Sequence, residues 1–160
     1  MNFRPTLVTG LAVAALLGTA TLSGAQDDKA ALAAVKARQA TMQLYAFNLG
    51  YLGGVAKGDI EYDAEAAKAA ASNLAKLTSL DQSGYWLPGT DNGALGDATK
   101  ALPAIWEEGS EAGQIGMQLA SAAAELEAVA GDGVDALRGA MGGVGQACGA
   151  CHKAYRQSDN

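Results

Sequence analysis

The sequence predicts an all-α protein, an antiparallel four-helix bundle, on three observations. Residues 26–160 are rich in Ala, Leu and Glu, with few β-branched residues in runs. Apolar residues recur at alternating spacings of three and four along four long stretches. Glycine and proline gather mainly between those stretches, where helices should stop. The first and second helices, and the third and fourth, are joined by short connections, with one long connection in the middle. Side-by-side antiparallel packing is the simplest arrangement for such a chain.

Residues 1–25 read as a signal peptide rather than as part of the bundle. A basic start at Arg4 precedes an apolar run from Leu7 to Leu22, and Ser23, Gly24 and Ala25 form a small-residue cleavage site before Gln26. Thr9, Gly10, Gly18 and Thr19 interrupt the run and no cluster of Lys and Arg follows, which disfavours a retained anchor. The expectation is cleavage after Ala25, export, and a mature chain of residues 26–160 forming one domain.

The first helix is expected from Asp27 or Asp28 to Lys57. Its inward stripe reads Leu32, Val35, Gln39, Met42, Ala46, Leu49, Gly53 and Ala56, and Gly58 stops it. Asp63 can cap a second helix that extends to about Ser79 and buries Ala67, Ala70, Leu74 and Leu77. Residues 81–102, with Pro88, Gly89 and further glycines, break every helical pattern and carry Trp86. Pro103 opens a short turn with Ile105 and Trp106. Ser110 is placed to cap a third helix with the stripe Ile115, Leu119, Ala122, Leu126 and Val129, ended by Gly131. The fourth helix starts near Asp132, and its stripe is Val134, Leu137, Met141, Val144, Cys148, Cys151 and Tyr155, so both cysteines lie on the core seam.

Removing Arg4 with the leader leaves ten Lys and Arg against seventeen Asp and Glu, a net charge of −7. That balance argues against nucleic acid or an anionic membrane surface as a partner, and after leader removal no membrane segment is expected. A charge-steered partner would present a basic patch, although an acidic surface also simply keeps an exported protein soluble.

The only two cysteines and the only histidine fall within five residues, CGACH at 148–152. Cys-x-x-Cys-His is the attachment signature for haem c: two thiols form thioethers and the adjacent imidazole becomes an axial iron ligand. On a helix, Cys148 and Cys151 stand one turn apart, matching two vinyl edges of a macrocycle, and His152 is i+4 from Cys148. Other readings are weaker. A thiol redox protein using Cys148 and Cys151 would need a βαβ context and a helix N-terminus, and a zinc site would need ligands the chain lacks. A structural disulfide across two intervening residues would add little stability.

With one histidine, bis-histidine coordination is excluded, and the sixth position is open. An open position gives a five-coordinate, high-spin iron able to take NO or CO, while a methionine ligand gives a low-spin, six-coordinate electron carrier. Met117 lies off the third helix's stripe and Met141 lies on the histidine's own helix, which leaves Met42 to pair with His152. No nucleophile or general-base constellation is present, so the expected role is a one-electron and gas-binding haem protein, not an enzyme, working with small redox proteins or diatomic gases.

The stretches RQATM (38–42), KGDIEYD (57–63), PGT (88–90), TKALPAIW (99–106) and CGACHKAYR (148–156) resemble the cytochrome c prime family, the class II c-type cytochromes, over nearly all of residues 30–156. The resemblance implies a four-helix bundle with one haem c near one end, a bacterial periplasmic location, and a homodimer packed through the first two helices. It further implies Arg38 beside a haem propionate, Gln39 against the haem, Met42 over its distal face, Arg156 beside the proximal pocket, and Lys100 near a further haem contact. Read from the residues alone, other roles stay open. Met42 is also ordinary core filling, Arg38 a solvated surface side chain, and Arg156 a complement to the helix dipole. Trp86, an aromatic placed to cover a haem edge, and Lys100 are equally a loop anchor and an exposed lysine. The glycines at 139, 142, 143 and 145 weaken the fourth helix but leave room beside it.

Overall fold

The computed structural model describes the backbone of residues 20–158 and the side chains of residues 27–158. Four long helices carry the architecture: α1 (Ala20–Lys57), α2 (Ala64–Thr78), α4 (Ala112–Val129) and α5 (Val134–Tyr155), with a single helical turn, α3 (Asn92–Leu95), in the middle connection. Each long helix packs on two others, α1 on α2, α2 on α4, α4 on α5 and α5 back on α1, which closes an antiparallel four-helix bundle. Among the described residues there is no strand, and no helix is long and apolar enough to cross a membrane.

The turns follow the local chemistry. Gly58 takes a positive φ of 84° and its N–H returns to Val55 O at 3.1 Å, ending α1. The Asp63 carboxylate accepts from Ala66 N at 2.8 Å and starts α2. Tyr62 ties that corner to the α4–α5 turn, donating its hydroxyl to Ala130 O at 3.1 Å and accepting from Gly133 N at 2.9 Å. Leu52, Leu74, Leu126 and Leu137, one from each long helix, are fully buried and define the core centre.

Several boundaries differ from expectation. Helix α1 is already helical at Ala20, the first described residue, and so runs ahead of the expected start at Asp27 or Asp28. The small helix-compatible residues Ala20–Ala25 carry no proline to stop it, so the expected cleavage point after Ala25 falls on helical backbone, and residues 1–19 of the expected leader lie outside the described residues. Ser110 does not cap the third long helix. Glu111 is the N-cap residue and lacks a side-chain cap bond, while Ser110 Oγ accepts only from Ala112 N at 3.3 Å. The fourth begins at Val134 instead of near Asp132, because Gly133 adopts φ 124° and holds the turn open. The middle connection, residues 81–102, does contain helical turns, at Ser83–Tyr85, Asn92–Leu95 and Gly96–Ala98, whereas the short turn opened by Pro103 is found as expected, at Pro103–Ile105.

The inward stripe of α1 is the larger correction. Its buried residues are Ala34, Val35, Arg38, Thr41, Tyr45, Asn48, Leu52 and Val55, one position earlier than the apolar pattern from Gln39 onward. Leu32, Gln39 and Ala46 are exposed. Burial of polar residues is possible because each finds a partner. Thr41 Oγ1 donates to Ala37 O at 3.0 Å, and Asn48 Nδ2 donates to Leu44 O at 2.8 Å while its Oδ1 accepts from Asn73 Nδ2 at 3.3 Å. Apolar counting alone cannot find such a face.

Candidate functional site

Helix α5 carries Cys148, Cys151 and His152 on its last two turns. Both cysteines are half-buried free thiols, and Cys148 packs on the bundle core. Burial pushes both thiols above the ordinary cysteine value, and a Cys148 thiolate would push Cys151 further. At neutral pH they are therefore protonated, which suits neither a nucleophilic thiol nor a redox pair. His152 is exposed overall, yet desolvation of its ring by the surrounding chain, and then the positive charge of Arg156, hold its pKa below the usual imidazole value. A neutral imidazole is the form that ligates a metal.

The face of α5 around these residues is bare. Gly145 and Gly149 stand seven and three residues before His152, on its side of the helix, and a Cβ added at either would meet no atom within 4 Å. His152, Lys153, Arg156, Gln157, Ser158 and Leu102 line an open surface cavity of about 680 Å³ at the helix end.

A second cluster sits where α1 meets the middle connection. The Arg38 guanidinium, 4% exposed, donates from Nη1 to Tyr85 O (3.2 Å) and Thr90 Oγ1 (3.0 Å), and from Nη2 to Thr90 O (2.9 Å) and Thr99 Oγ1 (2.9 Å). It lies 4.6 Å from the Trp86 ring centroid and 6.0 Å from that of Trp106, and Trp106 Nε1 donates to Trp86 O at 3.0 Å. Burial lowers its pKa, and all these partners are neutral oxygens or rings. Among the described residues no carboxylate pairs with it. A buried cation without an anion is costly unless a ligand supplies the negative charge.

The residues singled out in the sequence thus fall into two groups. Cys148, Cys151 and His152 stand on the last turns of α5 with Arg156 at its C-cap, and Lys100 reaches this end through its backbone, its carbonyl accepting from Gln157 N at 2.8 Å. Arg38 and Trp86 form the other group. Gln39 sits at its edge, exposed, with Nε2 donating to Ala98 O at 2.9 Å. Met42 is half-buried against the core, Met117 is 70% exposed, and Met141 packs on the core. Thr90, Thr99, Tyr85, Trp106 and Tyr155 also build the site, and sequence reasoning missed them. Only the neighbouring PGT turn and the paired tryptophans hinted at them.

These residues fit haem c. Two thiols one turn apart supply the attachment points, an adjacent neutral imidazole the ligand type, the glycines a face without side chains, and the uncompensated Arg38 a place for a carboxylate. A four-helix bundle with this attachment motif at the end of its last helix is a helical-bundle c-type cytochrome. Residues 33–156 match the family model described as Cytochrome C'. The chain belongs to the cytochrome c prime family and binds haem c. It is 42% identical over 135 residues to cytochrome c-554 of Cereibacter sphaeroides, covering 84% of this chain and 88% of that one. A solved cytochrome c' from Rhodobacter spheriodes superposes with a TM-score of 0.77 at 40% identity, over 81% of this chain and 98% of the other. The nitric oxide complex of a mutant cytochrome c prime from Alcaligenes xylosoxidans superposes with a TM-score of 0.67 at 37% identity, over 79% of this chain and 94% of that one.

Proposed function

We propose that the protein is a periplasmic monohaem cytochrome that transfers single electrons and takes NO or CO at a five-coordinate iron. In this reading Cys148 and Cys151 hold the haem by thioethers and His152 is the axial ligand. Arg38 faces a haem carboxylate, and Gln39, Trp86, Lys100 and Arg156 border the group. The observation that carries the reading is that the chain's single histidine lies beside its only two thiols, so no second imidazole is available to the iron. The nitric oxide complex of the Alcaligenes xylosoxidans relative supports a gas-binding site in this fold. The haem would supply the redox and gas-binding centre; Cys148 and Cys151 would anchor it, and the surrounding chain keeps the His152 imidazole neutral. The leader at residues 1–25, with cleavage after Ala25, supports export.

Half-burial of Met42 against the core, the only half-buried methionine off His152's own helix among the described residues, favours one second reading, a low-spin carrier with His152 and Met42 as ligands. Met42→Ala separates the two. Truncating a half-buried methionine costs about 1–2 kcal/mol of stability, less than at a fully buried site. With Met42 as ligand, the ferrous absorption spectrum converts from low-spin to high-spin and CO binds. With Met42 as a wall, the spectrum is high-spin beforehand and the variant binds CO faster or more tightly. If spin state and CO binding are both unchanged, Met42 does not face the iron.

We also propose a homodimer through α1 and α2. Leu44, Phe47 and Leu80 are 49%, 77% and 49% exposed and line, with Leu77, Asn48 and Lys76, an apolar groove of about 400 Å³. Phe47→Glu leaves the monomer's melting temperature nearly unchanged, because the ring is already in water, and raises the dimer dissociation constant at least about tenfold. Sedimentation velocity reads the result; a monomeric parent protein at tens of micromolar (about the range used for such runs) overturns the dimer.

A further inference from the structure

The segment 99–102 crosses the end of the bundle and is hydrogen-bonded on both sides. Thr99 is 4% exposed, and its hydroxyl oxygen accepts twice, from Arg38 Nη2 at 2.9 Å and from Ala101 N at 3.1 Å. Ala101 then pairs with Arg156 as an antiparallel bridge. Leu102 N donates to Tyr155 O at 3.0 Å and Gln157 N to Lys100 O at 2.8 Å. From the other side, Asn92 N donates to Ala101 O at 2.8 Å and Asn92 Nδ2 to Gln157 Oε1 at 3.0 Å. Residues 155–157 directly follow the turn that bears His152, and Arg156 N donates back to His152 O at 3.2 Å. The Tyr155 hydroxyl adds a further tie by accepting from Glu111 N, at the start of α4, at 2.8 Å.

A helix end would ordinarily fray, since its last carbonyls lack partners within the helix. Here the end of α5 is held by a strap whose other anchor is a buried hydroxyl on the guanidinium of α1. Two donors converging on one buried oxygen fix its position more tightly than one, and the loss of that oxygen leaves both without their acceptor. Outer contacts of this kind orient a ligand residue they do not themselves include.

We propose that Thr99 is a positioning residue that, through the strap of residues 99–102, holds the His152 end of α5 in register with Arg38 on α1. This rests on the reading of His152 as the iron ligand only for its spectroscopic consequence; the mechanical consequence stands without it.

The test compares Thr99→Val, which keeps the shape and removes the acceptor, with Thr99→Ser, which keeps the hydroxyl, in the haem-loaded protein. Native-state amide exchange at Ala101, Leu102 and Gln157 should accelerate about tenfold or more in Thr99→Val, with amides in the middle of α2 unchanged. The iron–histidine stretching band of the ferrous protein should move to lower frequency and broaden, and Thr99→Ser should restore both signals. A Thr99→Val protein that melts earlier but keeps parent exchange rates and band position overturns the proposal, because Thr99 would then contribute packing alone. Should Thr99→Val fail to fold, Asn92→Ala removes the exposed contact to Gln157 and leaves the Arg38 cluster intact. It is expected to speed exchange at Gln157, and an unchanged rate there overturns the strap. An iron–histidine band missing from the parent protein overturns the ligand assignment of His152, and the strap is then judged on exchange alone.

Discussion

Replacing Cys148 and Cys151 together with alanine is expected to yield a protein whose colour is lost to acid-acetone, where the parent keeps its haem on the polypeptide. The intact mass of the denatured parent should correspond to residues 26–160 plus one haem, and the double variant should lack the added mass. Each single variant keeps one thioether and so keeps the mass, with a shifted absorption band. The effect is close to all-or-none because no other residue of the chain can form the link: the sequence has two cysteines, one turn apart on α5. The competing reading, a thiol redox pair, predicts the opposite, a colourless parent with two titratable thiols. Burial already argues against it by raising both thiol pKa values, which suppresses the thiolate that such chemistry needs. A parent protein with no added haem mass would sink the attachment itself.

What the sequence made legible depended on how local the governing physics is. The attachment motif spans five residues of one helix, and the structure keeps it on the last turns of α5, with Cys148 against the core, Cys151 half-buried and His152 exposed. The stripes of α2 and α5 are legible because Ala67, Ala70 and Leu74, and likewise Leu137 and Val144, are buried for their apolar surface alone. On α1 the apolar pattern misses the buried face by one position. That face is built from Arg38, Thr41, Tyr45 and Asn48, and for three of them burial depends on partners distant in sequence: Thr90 and Thr99 for Arg38, Leu77 and Gln82 for the Tyr45 hydroxyl, Asn73 for Asn48. Polar burial is decided by tertiary hydrogen bonds, which no periodicity in one helix can announce. The same reason hid Thr99 and Tyr155. Each looks like an ordinary loop or helix-end residue until the strap brings Lys100 and Gln157 together.

Arg38→Met is expected to be the most damaging single substitution outside the attachment motif. The guanidinium satisfies two backbone carbonyls and two hydroxyls, and Thr90 and Thr99 are 0% and 4% exposed, so water cannot replace it without opening the loop. Leaving several buried acceptors without a donor should cost about 3 kcal/mol, and for a domain of this size that lowers the melting temperature by about 10 °C. The guanidinium's contact with the Trp86 ring, which is tilted against Trp106, would be lost as well, visible as a change in tryptophan fluorescence. Arg38→Lys should recover part of the stability, since a lysine keeps the charge but cannot reach four acceptors at once with its compact ammonium. The pair of variants also separates scaffold from site. If Arg38 only organises the loop, the reduction potential follows loop integrity and differs little between parent and Arg38→Lys. If its uncompensated charge also faces a haem carboxylate, Arg38→Met lowers the potential, because removing a nearby cation favours the more positive oxidised iron, whereas Arg38→Lys holds it near the parent value. An Arg38→Met protein with the parent's melting temperature would show that the loop closes without the guanidinium, and Arg38 would then not be the residue that organises this end of the bundle.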